Sequence, residues 1–322
     1  MGSPIDSIAR VAYDVERLCR NMGIAIQGKP DVIRNAVICL LSQGHLLLED
    51  VPGTGKTSLA RALATSISLT WHRIQFTPDL LPSDVTGVSI YNQATGQFEF
   101  KKGPVFANIV LADEINRASP KTQSALLEVM EEGTLSADGE VYVLDQPFMV
   151  VATQNPIDME GTYILPEAQL DRFLMKLTVG YPTPGAETEI LRTQKMGSPI
   201  PTLTHVLAAQ DVQAMVEIVK TVEVAPALEQ YIVAIAAATR TMSELRLGVS
   251  PRGSLALLRA ARACAAAAAR HFVTPEDVKE MAPVVLAHRV ILQPDAELQG
   301  RTGVELITRA VHSVPVPRSV AV

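Results

Sequence analysis

The sequence predicts an α/β protein: a mainly parallel sheet flanked by helices, followed by an all-helical portion. Three observations carry that expectation. Short apolar runs alternate with helical segments up to about residue 180, the pattern of successive βαβ units. A glycine-rich turn, Glu49-Asp50-Val51-Pro52-Gly53-Thr54-Gly55-Lys56-Thr57-Ser58, joins the apolar run His45–Leu48 to the helix-forming stretch Ser58–Ala64. Beyond Tyr181-Pro182-Thr183-Pro184-Gly185 no convincing strand signal follows, and helical segments take over.

Each element has its own local reason. Residues from about 5 to 22 set apolar side chains among charged ones at helical spacing. Pro30-Asp31 opens a second helix with Val32, Ile33, Ala36, Val37, Leu40 and Leu41 on one broad face, and Gly44 ends it. His45–Leu48, Trp71–Phe76, Asn108–Asp113, Phe148–Thr153 and Phe173–Val179 read as five strands. Between them, Ser119 caps and Pro120 starts a helix running to Glu132, and Pro166–Asp171 makes a short one. Two hairpins interrupt the alternation. Val88–Tyr91 and Gln97–Phe100 flank Asn92-Gln93-Ala94-Thr95-Gly96, and Gly133–Gln146 folds about Ala137-Asp138-Gly139-Glu140. After 181 the expected helices are Ala186–Lys195, Leu207–Lys220, Pro226–Met242, Pro251–Arg270, Pro275–Leu292 and Gly303–Val311.

The chain has 322 residues, enough for two domains with a sizeable core. Its net charge of −6 gives no overall footprint for nucleic acid or an anionic membrane, although local basic patches stay open. Cys19, Cys39 and Cys264 are far apart and lack metal-ligand spacing, so each reads as a small packed residue in a reducing compartment. Asp6, Arg10, Asp14 and Glu16 break up any signal-peptide core, and Asp6 stands where N-myristoylation favours Ser or Thr. The longest apolar tracts, near Val32–Leu48 and Tyr231–Ala238, are too short or too interrupted to cross a bilayer. The expected location is the cytoplasm.

The turn at 49–58 carries the first chemistry. A strand-to-helix turn aims successive backbone N–H groups and a helix N-terminus at one spot, which makes an anion site. Gly53 and Gly55 let the backbone curl round a phosphate, Lys56 brings a point charge, and the Thr57 hydroxyl can ligate Mg²⁺. The full G-x-x-x-x-G-K-[ST] pattern wants glycine where this chain has Asp50, the position farthest from the phosphates. Asp113 and Glu114 end a buried strand, at the sheet edge where ligands bind. Beside the loop, Asp113 can complete a Mg²⁺ shell with Thr57, and Glu114 can orient an attacking water. Asn155 ends the next strand, where its amide can bond water or γ-phosphate or simply cap the turn before Pro156. Arg172 can pair locally with Glu167 or Asp171, lie solvated, or reach a neighbouring subunit's γ-phosphate. Arg252, in the first turn of a helix, is a cation at the unfavourable end and calls for an anionic partner, of which bound phosphate is one.

Taken together these residues resemble an AAA+ ATPase, and more closely the MoxR family. The matching stretches cover most of positions 24–182. They include Gly44–Thr57, Arg73–Asp84, Ala112-Asp113-Glu114-Ile115-Asn116-Arg117-Ala118, Ala152-Thr153-Gln154-Asn155-Pro156, Glu160-Gly161-Thr162-Tyr163 and Leu165–Phe173. The resemblance implies an AAA+ core over 1–180 with two hairpin insertions, and a helical lid domain over 181–322. It implies Walker A at Lys56 and Thr57, within an ATP cradle of Pro52, Gly53, Thr54, Gly55, Lys56, Thr57 and Ser58. Asp113 and Glu114 become Walker B, Asn155 sensor 1, Arg172 the arginine finger and Arg252 sensor 2, on a looser match past 182. The hairpins at Val88–Phe100 and Gly133–Gln146 become the helix-2 insert and the pre-sensor-1 hairpin. Relatives form hexameric rings with ATP between subunits, and Arg252 could act in its own subunit or across that interface.

The implied activity is Mg²⁺-dependent ATP hydrolysis that drives remodelling or maturation of client proteins, often with a partner carrying a von Willebrand factor A domain. Two rivals remain. A nucleic-acid motor of the same branch shares both hairpins, but the second hairpin tip here, Ser136-Ala137-Asp138-Gly139-Glu140, is acidic and disfavours phosphate contact. Lys101-Lys102 at the base of the other hairpin is the one feature leaning toward DNA. A non-hydrolysing, ATP-gated scaffold is the second rival, and Glu114, Asn155 and Arg172 speak against it.

Overall fold

The computed structural model describes residues 4–51, 53–155, 162–194 and 200–317. Two long helices, α1 (Pro4–Ala25) and α2 (Pro30–Leu41), precede β1 (Leu46–Glu49) and α3 (Lys56–Ser66). Next come β2 (Trp71–Gln75), the single turn α4 (Pro82–Thr86) and the first hairpin, β3 (Gly87–Asn92) with β4 (Gln97–Lys102). Then follow β5 (Ile109–Asp113), α5 (Pro120–Glu132), the second hairpin β6 (Thr134–Ala137) and β7 (Glu140–Val143), β8 (Met149–Gln154), α6 (Glu167–Leu170) and β9 (Met175–Leu177). The remainder is α7 (Pro184–Gln194), α8 (Ala209–Lys220), α9 (Pro226–Arg240), β10 (Leu245–Leu247), α10 (Pro251–Ala267), α11 (Pro275–Leu286), β11 (Ile291–Leu292), α12 (Pro294–Leu298) and α13 (Gly303–Ser313).

The sheet has five strands in the order β2-β5-β8-β1-β9, and every neighbouring pair is parallel. Its inner strands are apolar up to their carboxyl ends because both faces are covered. Alternate residues divide cleanly. Leu46, Leu48, Ile109, Leu111, Met149 and Val151 join one apolar cluster, while Leu47, Val110, Ala112, Val150 and Ala152 join the other. The second cluster is closed by Leu126, Leu127 and Val129 of α5. The first holds Ile8, Val11, Val15, Leu18 and Met22, spaced by three and four along α1, and continues through α8 to α13. The N-terminal helices therefore share one apolar mass with the helices beyond 181.

Several local expectations need correction. The second helix stops at Leu41, before Gly44, because Gln43 already takes the left-handed conformation at φ 52°. The stretch after 181 does contain strand: Leu245–Leu247 pairs antiparallel with Ile291–Leu292, so the helix expected over Pro275–Leu292 ends at Leu286. The alanine run 265–269 outlasts its helix. Ala269 turns left-handed at φ 57°, and Arg270 swings onto Asp277, Nη1 to Oδ2 2.6 Å. A ribbon between distant segments and an ion pair across the turn between α10 and α11 override helix propensity here.

His45 stitches the sheet to α5. Its Nδ1 accepts from the Val150 N–H at 3.0 Å, so Nε2 carries the proton and donates to the Met130 carbonyl at 3.0 Å. Burial pushes its pKa from the usual 6.5 down to about 4. The fold thus favours the neutral ring, and the unfolded chain binds the extra proton as pH drops below 6.5. Stability from this histidine is intact above pH 6.5 and lost toward pH 4, by up to about 1.4 kcal/mol per pH unit. Thermal melts from pH 7 to 4.5 should show the midpoint falling with acidity. In His45→Gln the midpoint should be lower at pH 7 but decline less steeply, and an unchanged slope would contradict this role.

Candidate active site

The carboxyl edge of the sheet collects the loops that follow its strands. The turn after β1 is held open by Gly53 and Gly55 at φ 86° and 92°, a conformation that disfavours other residues. A side chain at either would meet no neighbour, so backbone conformation selects glycine, and free space faces the loop. Gly55 is the residue before α3 and brings no side chain to cap it. The first-turn N–H groups of a helix so begun suit an anion, which fits a phosphate. Thr54 closes the loop, donating its hydroxyl to the Val51 carbonyl at 3.2 Å. Thr57 and Ser58 are half-buried in the first turn of α3, and Pro52 lies outside the described residues.

Lys56 rests its ammonium on the carbonyls of Asp50 and Gln154, at 2.5 and 3.4 Å. Partial burial lowers its pKa, against the opposing pull of Asp50, Asp113 and Glu114. Asp50 has a structural task that explains its departure from glycine. Its Oδ1 accepts from the Val51 N–H at 2.7 Å, and its Oδ2 accepts from the Gly180 N–H beyond β9. The carboxylate ties the loop to the neighbouring strand exit.

Asp113 and Glu114 are locked by groups that sequence reasoning gave no role. The Thr153 hydroxyl donates to Asp113 Oδ1 at 2.6 Å and accepts from the Glu114 N–H at 2.9 Å. Arg73 reaches Asp113 Oδ2 through Nε at 3.0 Å and Nη2 at 2.6 Å. Glu114 sits at φ 55°, sparsely populated for a residue with a side chain. Its Oε2 accepts from Gln75 Nε2 at 2.9 Å and Arg117 Nη1 at 3.2 Å. Asn155 is buried directly after β8. Arg73 and Gln75 lie two apart on the edge strand β2, where Gln75 is in register with Asp113. Two polar residues so spaced beside a strand ending in Asp-Glu were the available signal.

Among the described residues no three His, Cys, Asp or Glu side chains cluster as a metal site. A Mg²⁺ held by Thr57 and Asp113 would therefore draw its remaining oxygens from phosphate and water.

The two other candidate residues lie elsewhere. Helix α5 starts beside the β5 exit and runs back across the sheet for roughly 20 Å. It ends where Met130 meets His45 at the start of β1. There Arg172 Nη2 pairs with Glu131 Oε2 at 3.0 Å, and Arg252 Nη2 pairs with Glu131 Oε1 at 2.9 Å. Arg172 thus has neither Glu167 nor Asp171 as its partner. Asp171 is taken by Arg289, Nε to Oδ1 2.8 Å, and Glu167 is 3.8 Å from Arg246. Arg289 also donates to the carbonyls of Asp171, Phe173 and Leu174 at 3.1, 2.7 and 3.2 Å, while His288 Nε2 contacts the Phe173 carbonyl at 3.0 Å. Burial brings the Arg289 pKa down to about 10, with Asp171 opposing. Within one chain, Arg172 and Arg252 stand at the amino edge, opposite Lys56, Asp113, Glu114 and Asn155.

Comparison with known proteins places the chain in a family. Residues 45–175 match the ATPase family associated with various cellular activities (AAA), and residues 237–310 match the AAA lid domain. The chain is 52% identical to the uncharacterized protein YeaC of Bacillus subtilis, over 90% of this chain and 91% of that one. It is 41% identical to Chaperone MoxR1 of Mycobacterium tuberculosis, over 100% of this chain and 85% of that one. Protein MoxR of Methylorubrum extorquens is 30% identical, with 94% of each chain covered. A crystal structure of a protein assigned as an ATPase, from Cytophaga hutchinsonii, superposes with a TM-score of 0.90 at 40% identity, covering 97% of this chain and 98% of that one. The chain belongs to the MoxR family of AAA+ ATPases.

Proposed function

We propose that this chain hydrolyses ATP with Mg²⁺ at a site completed by a second copy of itself, and that the cycle remodels or matures client proteins. The observation that carries this reading is the split of the candidate machinery between opposite sheet edges. Lys56, Thr57, Asp113, Glu114 and Asn155 converge at the carboxyl edge, whereas Arg172 and Arg252 gather at the amino edge. No arginine of that pair serves its own loop from there. A head-to-tail neighbour would bring its pair to the loop, and repeating that contact closes a ring, hexameric as the resemblance implies.

In this site Lys56 and the loop N–H groups hold the phosphates, Glu114 orients water, and the incoming arginines neutralise charge that develops in the transition state. Mg²⁺ on Thr57 and Asp113 would offset phosphate charge. A cavity of about 670 Å³ adjoins the β1 and β9 exits, walled by Asp31 and Val32 of α2, Val284 of α11 and Val304 of α13, and has room for the base and ribose. Because α11 and α13 form one wall, nucleotide there would bear directly on the helical portion.

The hairpins favour a protein client over nucleic acid. Tyr91, Phe98, Val141 and Val143 are exposed, Phe98 at 72% and Val143 at 71%. Asp138 at the second tip accepts from Ser89 of the first, which joins the two hairpins. Chaperone MoxR1 carries a name that agrees with a client-directed role. A partner with a von Willebrand factor A domain is the companion we expect in the same assembly.

Three measurements test this. Glu114→Gln should retain ATP binding while phosphate release falls at least about 100-fold; wild-type turnover would remove Glu114 from the mechanism. Thr153→Val leaves Asp113 and the Glu114 N–H without their shared partner, and should cost about 1–3 kcal/mol of stability along with turnover. Denaturant titration and steady-state ATPase assays measure the two. Finally, Glu114→Gln and Arg172→Ala chains, each inactive alone, should regain activity when mixed. Mixtures that stay at background would refute hydrolysis shared across an interface.

A further inference from the structure

We propose that Glu131 is a positioning residue for hydrolysis in the neighbouring subunit, its single carboxylate holding Arg172 and Arg252 together as one unit. The proposal rests on the inter-subunit reading above.

The geometry assigns one oxygen to each arginine, Oε2 to Arg172 at 3.0 Å and Oε1 to Arg252 at 2.9 Å. Two guanidiniums bound to the same carboxylate are close enough to repel, and an anion between them is what lets both stay. The two come from different parts of the chain. Arg172 follows α6 at the entry to β9, and Arg252 lies in the first turn of α10. Glu131 is thus the point where the core arginine and the helical-portion arginine are brought to a common position.

The main chain beneath Arg172 is already fixed, since Arg289 and His288 occupy the carbonyls of residues 171, 173 and 174. What remains to be set is the direction of the side chain. Arg172 Nε is buried without a hydrogen-bond partner among the described residues, so the Nη2 contact to Glu131 orients the guanidinium. Arg252 is 64% exposed and depends on the same contact. The trio carries a net charge of +1 and lies at the surface, with the Glu131 side chain 37% exposed. It can therefore meet a polyanion while keeping its internal ion pairs. The other possibility is an ordinary exposed ion pair that contributes little to anything.

The mixing experiment separates these. An Arg172→Ala chain supplies an intact loop and Glu114, and a Glu114→Gln chain donates the arginines. Adding Glu131→Ala to the donor should lower the kcat of the mixture about tenfold, a loss of about 1.4 kcal/mol in transition-state binding. KM for ATP should stay within about twofold, because the loop is untouched. The same change placed on the Arg172→Ala chain should leave the mixture as it was, since that chain donates no finger to a working site. Glu131→Gln on the donor keeps the shape and one acceptor oxygen, and should fall between. Equal activity from the Glu131→Ala donor and its parent overturns the proposal, as does equal loss from either placement, a Gln donor matching the parent, or a rise in kcat. Failure of the parent mixture to recover any activity would instead refute the shared site itself. Thermal melts of each chain within about 2 °C of the parent exclude misfolding.

Discussion

Everything in this molecule depends on the parallel direction of its five strands. Because β2, β5, β8, β1 and β9 all point the same way, each loop that follows a strand arrives at one edge, and each segment that precedes one arrives at the other. The glycine turn, the Asp113-Glu114 pair and Asn155 follow strands. Arg172 precedes one, and α5 carries Glu131 back to meet it. Strand polarity thus separates the glycine turn from Arg172, and this is the separation that the proposed second copy of the chain would bridge.

A second constraint is the continuity of the core. The apolar cluster that begins on α1 passes through one face of the sheet and into α8–α13, so the helical portion is packed against the N-terminal helices as well as the sheet. Its polar counterpart is Arg289, buried at the junction and spent on the carbonyls leading into β9. A buried guanidinium is stable only where acceptors surround it, and here those acceptors are the main chain of the Arg172 segment. Arg289, in the turn directly after α11, thus joins that helix to the residues that present Arg172, while α11 and α13 also line the cavity at the β1 and β9 exits.

The locks on the acidic pair show how a candidate catalytic edge is held in place. Thr153 links the Asp113 carboxylate to the Glu114 main chain, and the strained φ of Glu114 is held by that link together with Gln75 and Arg117. Each of these partners sits on a different element, β8, β2 and the turn after β5. The acids are fixed by the sheet as a whole rather than by their own strand.

The sequence by itself determined the elements that depend on local chemistry. Glycines needing positive φ, Pro at helix starts, Ser119 as a cap, the Asp138-Gly139 turn and the buried apolar strands were all legible, because each is decided within a few residues. The family resemblance likewise rested on contiguous motifs. Only the tertiary structure decided the contacts between residues far apart: Asp50 with Gly180, Arg73 with Asp113, Glu131 with Arg172 and Arg252, and the Leu245–Leu247 ribbon with Ile291–Leu292. An ion pair or a two-strand ribbon leaves no periodicity in the chain, and its free energy exists only once two separate segments meet. For that reason the sequence leaves Arg172 open between Glu167 or Asp171, solvent and a neighbouring subunit, while the fold gives Asp171 to Arg289 and turns Arg172 toward Glu131.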